Sequence, residues 1–283
     1  MTREVQCLGA EDLAFFKTHG YLIKSEVLDP ELTAWARDRL WQGVPDSLRR
    51  DESDTWVGPL PESDWSEDRN NYRSAFRWQY REPGNEEPMV RMLVADPSVW
   101  TMAQQLLGED EVIMPERVRG IYCTLPYGDR DGGPNQCHVD AHPFHLGIVG
   151  YIDDVDPEGG GLRVWPASHR RFFFDYRSAY TRERDEEAYA ATKAHFDSGV
   201  SVDWYGKAGD ILFWHHRIGH MAGYNYSRRI RQAVLGDYCK HGIETMQLES
   251  PGEDMWRHWS DGIRDAPYLD RMIPGTDPPV QPL

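Results

Sequence analysis

The chain has 283 residues, of which 40% are hydrophobic and 28% are charged, a composition that excludes a disordered or fibrous protein. Lys and Arg total 31 against 47 Asp and Glu, so the formal net charge is −16. Because proteins that bind nucleic acids or anionic membranes present a basic surface, this balance argues against both kinds of partner.

The cysteines and the apolar segments bear on the cellular compartment. Cys7, Cys123, Cys137 and Cys239 lie far apart and form no Cys-x-x-Cys pair, which argues against a zinc knuckle. No apolar stretch has the length of a signal-peptide core or of a membrane span. The sequence therefore predicts a cytoplasmic protein with reduced thiols.

The first 41 residues predict a helix, a strand and a second helix. Residues 11–19 have the composition of a short helix, and Gly20 is a typical stop signal. Residues 21–28 predict a strand. Asp29 followed by proline is a favourable helix start, and this helix is expected to run to about Trp41.

Residues 43–88 combine many charges with an excess of aromatic side chains. One interpretation is an aromatic cluster packed under a long loop, and the other is a lid over a pocket. A further helix is predicted at 97–107. The aromatic residues in question are Trp56, Trp65, Tyr72, Phe76, Trp78 and Tyr80.

From about residue 111 to 240 the pattern changes to short strands separated by turn residues, which is typical of a sandwich or barrel. A charged insertion at 172–197 interrupts the pattern and predicts helix, and the last ten residues, 274–283, predict a loose tail. The four clearest strands are expected at 145–153, 161–166, 210–216 and 229–238.

A His-x-Asp pair lies among these strands. If His138 and Asp140 are in a strand, their side chains share a face, with backbones about 7 Å apart, which suits two ligands of one metal ion. His142 would share that face if the strand continued, but Pro143 argues that the strand ends there.

A third metal ligand and a cation are expected further along the chain. His220 precedes a turn-like stretch centred near Asn225 and Tyr226, and strand character resumes by Ile230. This spacing predicts that His220 and Arg231 lie opposite each other on adjacent antiparallel strands, facing one cavity.

Two histidines and one aspartate on one side of a metal form the facial triad of non-haem Fe(II) oxygenases. Such a metal keeps three coordination positions open, two for a bidentate 2-oxo acid and one for dioxygen. The distal carboxylate of the 2-oxo acid then needs a fixed cation. Arginine suits this role, since its planar guanidinium binds a carboxylate through two hydrogen bonds.

The chain resembles the phytanoyl-CoA dioxygenase superfamily of Fe(II)- and 2-oxoglutarate-dependent oxygenases. The similar segments are FFKTHGYLIKSEVLDPEL near the N-terminus, His138-Val139-Asp140, GGGLRVWPASHRRF at 159–172 and GDILFWHHRIGHMAGYNYSRRIR at 209–231. The resemblance implies that His138, Asp140 and His220 bind Fe(II) and act in catalysis, and that Arg231 binds 2-oxoglutarate. It also implies a mainly β fold with flanking helices, the double-stranded β-helix (a jelly-roll or cupin-like barrel).

Two positions bear on the chemistry. Many family members carry Ser or Thr two residues after the distal histidine, where this chain has Ala222, so another group must help to hold 2-oxoglutarate. Halogenating relatives replace the aspartate, which is present here as Asp140. Hydroxylation is therefore the expected outcome, while cyclisation, desaturation and epoxidation stay open.

Weaker candidates surround this set. Tyr122 and Thr124 precede the first ligand and are expected to contact 2-oxoglutarate. His142, Phe144 and Trp78 are candidate substrate contacts. His142 is otherwise a polar residue at the rim, and Phe144 is otherwise a core aromatic.

The sequence thus predicts a dioxygenase that uses Fe(II), 2-oxoglutarate and O2 to oxidise a small-molecule substrate, with release of succinate and CO2. Two alternatives are a non-catalytic member that binds metal or 2-oxoglutarate, and a cupin-type hydrolase or isomerase. We expect one domain over 1–283, as a monomer or homodimer, with a core barrel at about 111–240. Residues 1–110 would supply helical support and a lid, 241–283 an extension, and 43–88 with 172–200 would shape the substrate pocket.

Overall fold

The N-terminal segment folds as predicted in the computed structural model, which describes residues 3–270. Helix α1 (Ala10–His19) ends at Gly20, whose φ of 79° lies in the left-handed region that favours glycine. Strand β1 (Tyr21–Lys24) follows at once and is shorter than predicted. The tail expected at 274–283 lies outside the described residues.

Three of the longer helices, α2 (Pro30–Trp41), α4 (Pro97–Leu107) and α6 (Glu186–Asp197), begin with the same device. Asp29 accepts hydrogen bonds from the backbone amides of Glu31 and Leu32 at the start of α2, and Asp96 and Asp185 accept equivalent bonds in α4 and α6. The other α-helices after α1 in the described residues are α3 (Glu87–Met92), α5 (His169–Phe172), α7 (Ile243–Met246) and α8 (Asp261–Asp265).

The strands form two antiparallel sheets. The strands after β1 are β2 (Asn71–Ser74), β3 (Arg77–Tyr80), β4 (Val112–Ile113), β5 (Gly120–Thr124), β6 (Leu146–Tyr151), β7 (Leu162–Val164), β8 (Val202–Asp203), β9 (Ile211–His215), β10 (His220–Ala222) and β11 (Arg231–Lys240). The major sheet has the order β1-β9-β6-β11-β5-β3-β2, with β4 paired to the far end of β11, and the minor sheet has the order β10-β7-β8.

The two faces of the major sheet serve different purposes. One face packs on the helices in the larger hydrophobic core, which includes Phe16, Met102 and Trp78. The other faces the minor sheet across a smaller core, where Tyr151 and Trp214 meet Val164. This mainly β architecture with flanking helices is the predicted fold class.

Strands from before residue 111 also belong to the major sheet. Strand β1 pairs with β9, and the β2–β3 hairpin extends the sheet beyond β5. Within the segment 43–88, these two strands are therefore part of the sheet, with Tyr80 buried in the core. Within residues 3–270, no helix has both the length and the hydrophobicity to cross a membrane.

Candidate metal and 2-oxoglutarate site

The backbone brings the two candidate histidine ligands side by side. His138 lies outside the strands, so the prediction of a strand through 138–140 is wrong, but it forms an isolated bridge with His220 on β10. Each backbone amide donates to the other residue's carbonyl, at 3.1 and 2.9 Å. The two imidazole centroids are consequently 4.7 Å apart.

Asp140 completes a cluster of three donors. One ligand atom from each of His138, Asp140 and His220 lies within 4.8 Å of the others. His220 Nε2 is 3.7 Å from Asp140 Oδ1. Two imidazoles and one carboxylate converging from one side are the donor set of a facial triad, so these residues fit an Fe(II) ion.

Hydrogen bonds orient both imidazoles. His220 Nδ1 lies 3.0 Å from the carbonyl oxygen of Ile218, and His138 Nδ1 lies 3.3 Å from that of Gln136. Protonated Nδ1 atoms would leave Nε2 of each ring as the metal donor. Burial lowers the pKa of His220 to about 4, which keeps this ring neutral and able to coordinate at neutral pH.

Arg119 orients the Asp140 carboxylate and lowers its pKa. Its Nη2 donates to Asp140 Oδ2 at 3.0 Å, which leaves Oδ1 on the side of the histidines. Burial opposes ionisation of Asp140, but the charge of Arg119, aided by nearby imidazoles, holds its pKa well below the usual range. The carboxyl group is therefore an anion, as a metal ligand must be.

Arg231 is a buried cation without a counter-ion. Its Nε donates to the carbonyl of Gly160 at 2.8 Å and its Nη1 to that of Tyr122 at 3.0 Å. No carboxylate of residues 3–270 pairs with it, and only 6% of the residue is exposed. Burial lowers the pKa of Arg231, but a guanidinium stays charged in proteins. The site therefore requires an anion.

The prediction that His220 and Arg231 lie opposite each other is wrong. His220 pairs with Val164 in the minor sheet, whereas Arg231 pairs with Thr124 in the major sheet. The two side chains nevertheless line one cavity of about 190 Å³, together with the other two candidate ligands. The cation thus faces the ligands across the gap between the sheets.

The 2-oxoglutarate candidates Tyr122 and Thr124 both line this cavity, as does Ala222. Thr124 is in register with Arg231 on the neighbouring strand, so its hydroxyl lies on the same side of the sheet as the guanidinium. Gly160, with φ of 78°, allows its carbonyl to reach Arg231, and a Cβ there would come within 2.9 Å of Asn225.

Two of the three substrate candidates do not reach a cavity. Trp78 is fully buried in the helix-facing core, and its indole nitrogen donates to Asn71 Oδ1, so its prediction as a substrate contact is corrected. Phe144 is also fully buried, with its ring 5.1 Å from the Arg119 guanidinium that it supports. Only His142 lines a cavity, where its Nε2 lies 3.1 Å from Asp237 Oδ2.

Sequence reasoning missed four polar residues that line the site. Arg77 and Gln79 flank Trp78 on β3 and point to the opposite face, into the cavity. Arg119 precedes β5, and Asp237 follows Arg231 by six positions on β11 and so shares its face. The alternation of side chains along a strand could have indicated the residues on β3 and β11, because the face of one residue in a strand fixes the faces of the others.

The insertion 172–200 supports the ligand segment from behind. Asp197 on α6 accepts a hydrogen bond of 2.6 Å from the backbone amide of Cys137. Tyr189 and Phe196, also on α6, pack in the cluster that contains Cys137 and Val139. Residues 172–200 line neither the 190 Å³ cavity nor the adjoining cavity that His142 lines, so their predicted part in shaping the substrate pocket is indirect.

Comparisons with known proteins identify the family. The family model described as phytanoyl-CoA dioxygenase (PhyH) matches residues 16–233, which is most of the chain. A search of curated proteins finds no match.

Solved structures share the fold. SnoK, a non-haem α-ketoglutarate-dependent carbocyclase from nogalamycin biosynthesis, is 22% identical with a TM-score of 0.55, over 82% of this chain and 83% of that one. EctD from S. alaskensis, solved with 2-oxoglutarate and 5-hydroxyectoine, is 21% identical with a TM-score of 0.54, over 86% and 79%. The epimerase SnoN, solved with Fe3+, α-ketoglutarate and nogalamycin RO, is 20% identical with a TM-score of 0.52, over 96% and 92%.

The fold, the triad and the family match agree. The cupin-like jelly roll places two histidines, one aspartate and an unpaired buried arginine around a single cavity. The chain belongs to the phytanoyl-CoA dioxygenase family of Fe(II)- and 2-oxoglutarate-dependent oxygenases.

Proposed function

We propose that the protein hydroxylates an unactivated C–H bond of a small-molecule metabolite. In this reaction one oxygen atom of O2 enters the substrate and the other enters succinate, which forms with CO2 from 2-oxoglutarate. The observation that carries the proposal is the unpaired, buried Arg231 facing the three metal-ligand candidates across one cavity.

Four residues of the candidate site have a defined role in this proposal. His138, Asp140 and His220 bind Fe(II), which when bound activates O2. Arg231 binds the distal carboxylate of 2-oxoglutarate through its unused N–H groups. The main-chain bonds to Gly160 and Tyr122 hold this guanidinium in a fixed orientation, so little conformational entropy is lost on binding.

Tyr122 and Thr124 complete the 2-oxoglutarate site in this proposal. The Thr124 hydroxyl, in register with Arg231, can supply the hydrogen bond that Ala222 lacks. His142 is proposed as a substrate contact because it lines the adjoining cavity of about 640 Å³, which shares Arg119, Tyr122 and Asp140 with the smaller one. This sharing supports a substrate position in the larger cavity, beside the proposed metal site.

The proposal is tested first by binding. Wild-type protein should bind Fe(II) anaerobically and, on addition of 2-oxoglutarate, show the visible charge-transfer absorption of a chelated 2-oxo acid. His138→Ala and Asp140→Ala should abolish turnover and weaken iron binding. His241→Ala, which changes an exposed histidine, is the matched control. Wild-type turnover in either ligand variant would refute the ligand assignment.

Arg231→Ala tests the cosubstrate role separately. The loss of a charge-assisted pair should raise KM for 2-oxoglutarate by at least about 10-fold. Activity unchanged by this substitution would favour the cupin-type hydrolase or isomerase.

The products distinguish the remaining alternatives. Hydroxylation and epoxidation each add one oxygen atom from 18O2, and loss of a C=C signal in the NMR spectrum of the product marks epoxidation. Cyclisation or desaturation removes two hydrogen atoms, and epimerisation leaves the mass unchanged. Absence of succinate across a metabolite panel with Fe(II), ascorbate and 2-oxoglutarate would favour a non-catalytic binding protein.

A further inference from the structure

The cavities around the triad are rich in arginine although the chain as a whole is acidic. The net charge of the protein is −16, yet arginines line the 190 Å³ cavity and the adjoining 640 Å³ cavity in excess over acids. The five arginines are Arg77, Arg81, Arg117, Arg119 and Arg231.

Among the described residues, three carboxylates line the same two cavities, namely Glu116, Asp140 and Asp237. The charges of Fe(II) and of doubly ionised 2-oxoglutarate cancel when both are bound. The loaded site would therefore keep an excess of two positive charges. A concave wall of one sign concentrates ligands of the opposite sign.

Three of the five arginines, Arg77, Arg81 and Arg117, have no carboxylate partner among residues 3–270, and of these Arg77 lines the smaller cavity. Arg119 is occupied by Asp140 and Asp237, and Arg231 is reserved for 2-oxoglutarate. No carboxylate of residues 3–270 lies within ion-pair distance of Arg81 or Arg117. Both line the larger cavity, and neither lines the smaller cavity that holds Arg231.

Arg81 is held in place but incompletely satisfied. Its Nη2 donates to Gln79 Oε1 at 2.6 Å, and its guanidinium lies 5.3 Å from the centre of the Tyr122 ring. The Nε of Arg81 is buried and has no hydrogen-bond partner among the described residues. A guanidinium that is fixed on an aromatic ring and keeps free N–H groups is prepared to bind an oxyanion.

Arg117 is brought next to Arg81 by the backbone. The amide of Gly84 donates to the carbonyl of Arg81 at 3.0 Å, and the amide of Val118 donates to the carbonyl of Gly84 at 2.8 Å. The segments that carry the two arginines therefore lie side by side. Arg117 is exposed and can move onto an anion that Arg81 has bound.

We propose that the substrate is an anionic small molecule whose carboxylate or phosphate group binds to Arg81 and Arg117. The rest of the substrate then extends past Tyr122 toward Asp140, where the C–H bond meets the metal centre. This inference rests on the proposed function, since it needs Fe(II) and 2-oxoglutarate in the smaller cavity.

The test uses the protein with Co(II) in place of Fe(II) and without O2, so that ligand binding is measured without turnover. The full chain is titrated anaerobically with Co(II) and then with 2-oxoglutarate, and calorimetry measures the binding of each. The loaded protein is titrated with phenylacetate, with phenyl phosphate and with the neutral phenylacetamide. At least one of the two anions should bind about 10-fold or more tightly than the amide, and the anion that binds tighter identifies the preferred acidic group.

The variants locate the anion site. Arg81→Gln combined with Arg117→Gln should weaken binding of the preferred anion by at least about 10-fold. The 2-oxoglutarate titration should stay as in wild type, because Arg231 holds that acid. Arg91→Gln, which changes an exposed arginine on α3 away from both cavities, is the control and should match wild type.

The outcomes separate this inference from the function that it rests on. Equal binding of amide and anions, no anion binding to the loaded wild type, or an unchanged anion affinity in the double variant would overturn the anionic substrate while leaving the oxygenase assignment intact. Failure of the wild type to bind Co(II) and 2-oxoglutarate would overturn both.

Discussion

Arg119 is the residue that connects the metal centre to the wall of the larger cavity. Its guanidinium donates to Asp140 at 3.0 Å and to both carboxylate oxygens of Asp237 at 2.7 and 2.5 Å. It also lies 5.1 Å from the ring of Phe144 and 5.6 Å from that of Trp214. Because one oxygen of Asp140 is occupied by Arg119, the other is directed toward the metal position.

Asp237→Asn should therefore weaken metal binding although Asp237 is not a ligand. The substitution removes the charge that fixes Arg119, so Asp140 loses its orientation, and the dissociation constant for Co(II) should rise by about 10- to 100-fold. Calorimetric titration of the apoprotein measures it. Asp154→Asn, which breaks a more exposed pair with Lys207, is the control. Equal Co(II) affinity in wild type and Asp237→Asn would refute this positioning role.

At the scale of elements, the ligand segment is held by close backbone approach. Gly219, just before β10, accepts a hydrogen bond from the amide of Trp165, and a Cβ at Gly219 would come within 2.4 Å of the Cys137 sulfur. The turn after Trp165 contains Ala167 at φ 63°, a left-handed conformation that alanine adopts only at a cost. The same turn carries Ser168, whose hydroxyl accepts from the Gly219 amide at 2.8 Å.

Ala167→Gly should stabilise the protein. Glycine adopts a positive φ without the Cβ clash, so the free energy of unfolding should rise by about 0.5–1 kcal/mol, after allowance for the entropy that glycine loses on folding. Urea denaturation measures the change. Ala191→Gly, at an exposed position inside α6, should instead lower stability by about 1 kcal/mol. A loss of stability in Ala167→Gly would show that the turn does not strain the alanine.

At the scale of the whole molecule, α1 contacts the segment at and after α8, and several histidines are buried away from the candidate metal ligands. Lys17 on α1 donates to the carbonyls of Arg264 and Ala266 at 2.6 and 2.8 Å, which supports our proposal that the chain folds as one domain. Behind β9, His215 stacks on Trp259, and His169 meets Trp256 edge-on. His145 lies in the same layer, 4.3 Å from Tyr180.

These histidines predict that stability falls in mild acid. Burial lowers the pKa of His145 and of His169 from the ordinary value of 6.5 to about 3. The unfolded chain therefore binds protons that the folded protein excludes, and stability present above pH 6.5 is lost as the pH falls toward the folded pKa. Between pH 6.5 and the folded pKa, each of these histidines should lower the free energy of unfolding by about 1.4 kcal/mol for every unit that the pH falls.

Urea denaturation of the metal-free protein between pH 7.5 and 5.5 measures this effect. His169→Gln should reduce the slope of stability against pH by about one proton, because a single titrating group has been removed. Stability that does not change between pH 7.5 and 5.5 would contradict neutral burial of these histidines.

The sequence by itself determined the local features and the chemistry of the site. Helix starts such as Asp29-Pro30 and the stop at Gly20 depend on nearest-neighbour backbone preferences, so they could be predicted and are confirmed. His138, Asp140, His220 and Arg231 could be selected because their residue types match the needs of a metal and a carboxylate. The family resemblance then implied the double-stranded β-helix.

Only the tertiary structure decided which sheet carries each residue and which face it presents. His138 is placed by a bridge to a residue more than 80 positions away, and Arg231 lies in a different sheet from His220. Adjacent residues of a strand point to opposite faces, so Trp78, a candidate substrate contact, is buried in the core while its neighbour Arg77 lines the cavity. Pairings between distant segments depend on packing of the whole chain, and spacing within one segment does not report them.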